Sequence, residues 1–119
     1  MGPAIENIEI DAGDSRELNF TVAAPEGTTL DGATIRWWVS PQTYGEPTGI
    51  AFVKKSTAAG ITITDNDLRK FTVQLDEDDT AGLQGLYYHE AEVIDSLGKR
   101  STVTKGLFNI RRSFVPQSE

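Results

Sequence analysis

With 119 residues, 38% of them hydrophobic and 24% charged, the chain has the length of one domain with one core and an ordinary globular composition, which excludes a disordered or low-complexity protein. The absence of cysteine excludes a disulfide framework and a thiolate metal site, and a single histidine excludes a histidine-based triad or a multi-histidine metal centre. A net charge of −7 opposes nucleic-acid binding, which draws its affinity from Lys and Arg on phosphates.

In chain order, Met1-Gly2-Pro3-Ala4-Ile5-Glu6 lacks the basic region and apolar run of a signal peptide. No stretch reaches the ~18 consecutive apolar residues of a membrane span. The expectation is a soluble, intracellular protein without a membrane partner. Residues 1–13 read as an N-terminal strand or arm, residues 14–110 as the body of the fold and residues 111–119 as a tail.

Alternation with a period of two dominates, which is the strand signal. Strands are expected at about Ile5 to Ile10, Glu17 to Val22, Thr34 to Val39, Ile50 to Lys55, Ile61 to Thr64, Lys70 to Leu75, Leu86 to Asp95 and Ser101 to Ile110. Between them lie turn-forming clusters such as Asp11-Ala12-Gly13-Asp14, Pro25-Glu26-Gly27 and Ala58-Ala59-Gly60. Short strands at this spacing indicate an all-β antiparallel sandwich of seven to eight strands.

The same pattern assigns faces. Leu18, Phe20 and Val22 share one side of their strand, and Phe71, Val73 and Leu75 share one side of theirs. Ile35, Trp37 and Val39 alternate with Thr34, Arg36, Trp38 and Ser40, so Trp37 is the core candidate and Trp38 the solvent or partner candidate. His89 shares a face with Tyr87, Ala91 and Val93, which makes it a hydrogen-bonded structural histidine. The run ending in Asp95 and the run from Lys99 flank Ser96-Leu97-Gly98, a hairpin turn that closes through a glycine of positive φ.

Asp79-Thr80, Leu83, Gly85 and Tyr87 resemble the approach to strand F of an immunoglobulin-type sandwich. Tyr87 then takes the place of the tyrosine-corner residue, Trp37 that of the core tryptophan, and His89 stands where an immunoglobulin domain has its second cysteine. The stretch DTAGLQGLYYHEAEVIDSLGKRSTVTKGLFNI is also similar to small immunoglobulin-like modules of tailed-phage structural proteins. That resemblance implies a non-enzymatic virion protein, assembled in the host cytoplasm, whose partner is the major capsid protein, another virion protein or further copies of itself. A stand-alone module of this size suits a head decoration, or cement, protein. A tail or baseplate adaptor is the alternative within the particle, and a carbohydrate-binding module the alternative outside it.

No cofactor is called for, and no residue set supports catalysis: His89 is unaided, and no phosphate loop or nucleophile elbow is present. Asp76-Glu77-Asp78-Asp79 is either a solvated turn, with Asp79 or Thr80 bonding local backbone, or a weak calcium site. Glu90 and Glu92 face outward as a hydrated pair. The candidate interface residues are Arg36, Trp38, Tyr44 and Tyr88, which could anchor a protein or stack on sugars, together with Arg111, Arg112 and Phe114. Residues 1–95 carry 17 acids and 6 bases, whereas residues 96–119 carry five bases and Glu119, so the C-terminal end is locally basic at +4. Phe114-Val115 is costly to leave in water, so the tail either folds back or docks on a neighbour.

Overall fold

The computed structural model of the chain describes residues 4–25, 27–43, 46–47 and 51–112. Ten strand segments form: β1 (Ala4–Ile5), β2 (Ile8–Asp11), β3 (Arg16–Thr21), β4 (Thr34–Thr43), β5 (Glu46–Pro47), β6 (Val53–Ser56), β7 (Ile61–Asp65), β8 (Lys70–Leu75), β9 (Gly85–Ile94) and β10 (Arg100–Arg111). A helical turn, α1 (Glu77–Thr80), joins β8 to β9. One sheet runs β1-β10-β9-β4-β5, with β2 also on β10 and β6 also on β4; the other runs β3-β8-β7. Because β1 and β2 share one edge, and β5 and β6 share another, the segments occupy eight strand positions in two layers. The result is an immunoglobulin-like sandwich with antiparallel pairing throughout, except where β1 and β2 run parallel to β10.

Alternation places the core. Leu18, Phe20, Val22, Ile35, Trp37, Val39, Phe71, Val73 and Leu75 are all buried, each from the strand face expected for it. Phe20 and Phe71 are direct cross-strand partners whose rings stack at 5.2 Å, and Trp37 meets Phe108 edge-on at 5.6 Å. Aromatic pairs of this kind add to the stabilisation that their area provides. The β9–β10 hairpin closes as expected, with Gly98 at φ +84° and the Asp95 carboxylate accepting from the Leu97 and Lys99 N–H groups. A bulge at Val103 breaks the β9–β10 register between Thr102 and Thr104, so Val103 and Thr104 both lean on the core.

The N-terminal strand is more than an arm. Its two segments line the outer edge of β10 from Ala4 to Asp11, and Ile10 is fully buried. At the other end β10 continues through Arg111, one residue past the expected boundary, and Arg111 pairs with Glu9 at 3.2 Å and Asp11 at 2.9 Å. The basic charge at the C-terminal end is therefore partly neutralised within the domain.

The connection from β8 to β9 is held at two points. Tyr87 is nearly buried and its hydroxyl donates to the Gln84 carbonyl at 3.3 Å, the back-bond of a tyrosine corner. Thr80, fully buried, accepts from the Gly13 N–H at 2.9 Å, so its partner is 67 residues away in sequence and not local. Tyr87→Phe is expected to lose about 0.5 to 1.5 kcal/mol, the net worth of one hydrogen bond. Thr80→Val keeps the shape but leaves the Gly13 N–H without its acceptor and is expected to lose about 1 to 3 kcal/mol. Urea midpoints check both, and a Thr80→Val protein as stable as the parent would remove that bond from the account.

Candidate functional site

The outward face of the larger sheet reads as a series of rungs. One rung is Ile5, Lys105, Glu90, Trp38 and Lys54; the next is Leu107, Tyr88 and Ser40; Leu86 lies beyond, opposite Asn109. Trp38 is 39% exposed, Leu107 37% and Leu86 48%, which makes this the apolar part of an otherwise charged face. Strand alternation therefore separates the two neighbouring indoles as expected, since Trp37 is 0% exposed.

The Glu90 and Glu92 carboxylates of this face are both engaged within it. Arg36 and Arg100 both bond Glu92, and Glu90 accepts from the Tyr88 hydroxyl at 2.8 Å and from Thr102 at 3.3 Å. The Arg36 guanidinium lies 5.7 Å and the Lys54 ammonium 4.7 Å from the centre of the Trp38 ring, within cation–π reach. Arg36, Trp38 and Tyr88, expected to share a patch, do share it. Two details differ from the expectation: Tyr88 is half-buried with its hydroxyl engaged, and Arg36 is ion-paired rather than open to a partner. Lys54 joins the patch because Val39 pairs with Val53 and thereby sets Lys54 opposite Trp38. Arg111 and Arg112 lie at the far end of β10, away from the indole and exposed. Tyr44 and Phe114 lie outside the described residues.

The acidic segment is the helical turn α1 with its N-cap Asp76. The Asp79 carboxylate accepts from the Asp76 N–H at 2.7 Å and pairs with Lys55 at 2.7 Å, so local backbone and a lysine occupy it. Among the described residues no three His, Asp or Glu side chains converge as metal ligands.

The other constellation is internal. His89 is fully buried, and both ring nitrogens are engaged: the Trp37 indole N–H donates to Nδ1 at 3.1 Å, and Nε2 lies 2.6 Å from the Glu6 carbonyl. An indole N–H can only donate and a carbonyl can only accept, so the ring is neutral and carries its proton on Nε2. Burial lowers its pKa below the ordinary 6.5, against a smaller opposing effect of the Glu6 carbonyl. The sequence expectation of a hydrogen-bonded structural histidine holds, with the indole of the neighbouring strand as one of its two partners.

Glu6 reaches His89 because residue 106 is glycine. A Cβ there would meet the Glu6 carbonyl oxygen at 2.1 Å and its carbon at 2.7 Å. In a regular parallel ladder that carbonyl would bond the Leu107 N–H, since the Glu6 N–H bonds the Lys105 carbonyl. Instead the Asn7 side chain accepts from Leu107 at 3.0 Å, which leaves the Glu6 carbonyl free to turn inward. Gly106 and Asn7 were not singled out by sequence reasoning; a glycine inside the strand pattern Val103 to Phe108 is the available signal of a close backbone approach.

No protein-family model matches the chain, and no curated protein does. Among solved structures the chain is similar to AggA, the major subunit of the aggregative adherence fimbriae type I of Escherichia coli, at 13% identity and a TM-score of 0.38, over 87% of this chain and 89% of that one.

Proposed function

We propose that this chain is a non-enzymatic structural protein of a tailed-phage virion that docks on the assembled head as a decoration, or cement, protein. The reading rests on the similarity of residues 79–110 to phage immunoglobulin-like modules, and one observation in the fold carries its mechanism. The outer face of the larger sheet presents Trp38, Leu86 and Leu107 around Tyr88, while its carboxylates Glu90 and Glu92 are already satisfied by neighbours on the same face. Apolar and aromatic groups set beside engaged carboxylates can be covered without stranding those carboxylates, as the centre of a protein interface requires. Copies on a symmetric shell gain further from multivalency, so each contact can be weak. The sugar-binding alternative is less favoured, because Arg36 and Lys54 lie against the indole on which a sugar would stack.

The test is occupancy on particles. Trp38→Ala and Leu107→Ser proteins are expected to fold normally and to decorate purified heads at least ten-fold less than the parent. Full decoration by both variants would clear this face of docking. Recovery of the parent only on isolated tails would overturn the cement reading in favour of the adaptor.

A further inference from the structure

The enclosure of His89 joins a rigid wall to a detachable one. On the rigid side, Trp37 is fully buried between the layers and packs edge-on against Phe108, so it cannot move without opening the core. On the other side, Glu6 belongs to an edge segment whose fully buried apolar side chain is Ile10, joined to β3 through Gly13 at φ +82°. The Glu6 carbonyl has left its regular place in the ladder to take the ring proton, and Asn7 fills the vacated place. Nothing in the pairing of β1 and β2 requires this detour; it couples the N-terminal edge to a buried imidazole.

Such a ring accepts only one protonation state. A second proton would sit on Nδ1, facing the Trp37 N–H, which can only donate. The imidazolium also needs water, and its other ring neighbours are Phe20 from β3 and Phe108 from β10. None of Phe20, Trp37 or Phe108 titrates or offers a counter-charge, and Glu6 contributes its carbonyl to the ring. The route by which the ring can reach water while Phe20, Trp37 and Phe108 stay packed is through the Glu6-Asn7 link.

We propose that residues 4–11 form a pH-gated latch: proton uptake at His89 expels the Glu6 carbonyl from beneath Gly106, frees the segment from β10 and opens that edge of the sheet to strand pairing. The sign follows from the proton affinities. Burial holds the pKa of the latched ring below 6.5, whereas in the open form the ring is hydrated and titrates near that ordinary value. Acid therefore favours the open form. The latch holds above about pH 6.5, and its opening constant rises about ten-fold per pH unit below that, until the latched ring itself protonates. The other titratable groups on the segment are the carboxylates of Glu6, Glu9 and Asp11. The Arg111 bridges to Glu9 and Asp11 are largely exposed and hold the far end only weakly. This inference does not depend on the virion assignment.

The test is amide hydrogen exchange on the unmodified protein between pH 7.5 and 5.5, corrected for the intrinsic pH dependence of exchange. The Glu6, Ala12 and Leu107 amides, which bond across the segment, are expected to open about ten-fold more often per pH unit below about 6.5, in step with protonation of the ring seen by its nitrogen resonances. The β3 and β8 amides of Phe20 and Phe71 should stay protected. In His89→Gln, which keeps a donor and an acceptor without titrating, the three reporter amides should show no such dependence. Constant protection of the segment across the window, or parallel loosening of every strand, would overturn the latch; because the unmodified protein alone distinguishes these outcomes, the test stands even if the variant does not fold.

Discussion

Replacing Trp37 by Ala is expected to destabilise the protein by about 3 to 5 kcal/mol, the range for removing a large buried aromatic side chain. The indole is 0% exposed, bonds His89 and packs on Phe108, so its removal leaves a cavity at the centre of the sandwich and a buried imidazole acceptor without a donor. Trp37→Phe separates the two effects. It retains most of the packing and abandons only the hydrogen bond, for an expected loss of about 1 to 3 kcal/mol. Urea unfolding measures both. If Trp37→Ala and Trp37→Phe cost the same, the indole contributes through its hydrogen bond and not its volume, and the packing argument is wrong.

Gly106→Ala is expected to cost about 2 to 3 kcal/mol, although alanine is ordinarily the better residue inside a strand. The added Cβ would fall on the Glu6 main chain, at 2.1 Å from the carbonyl oxygen, and neither atom is the end of a flexible side chain. The β1–β2 link must move outward and surrender the bond to His89, which adds the cost of an unsatisfied buried donor to the strain of overpacking. Chemical denaturation gives the magnitude. Proton resonances give the location: shifts should concentrate at Glu6, Asn7, His89 and Leu107. A variant as stable as the parent would mean that the carbonyl does not occupy the space of the missing side chain.

Much of the fold was legible because burial in a two-layer sandwich imposes a period of two on every strand. That period alone set Trp37 inside and Trp38 outside and aligned Tyr87, His89, Ala91 and Val93 on one face, while turn chemistry marked Gly98 as the close of the last hairpin. Such information is local, since the face on which a side chain lies depends only on its own strand. What a side chain meets there depends on register between strands distant in sequence, which alternation does not contain. Lys54 joined the Trp38 patch through the β4–β6 register, and Thr80 found the Gly13 N–H 67 residues away. Arg111 found Glu9 and Asp11, so charges that read as a basic end became part of a paired edge. The His89 enclosure shows the division most clearly. The sequence by itself determined that this histidine faces the core and needs hydrogen-bond partners, because a buried imidazole must satisfy both nitrogens. Only the tertiary structure decided which groups satisfy them: the parallel pairing of the N-terminal segment with β10 brings Asn7 to Leu107, 100 residues apart, and the missing side chain of Gly106 then admits the Glu6 carbonyl to the ring.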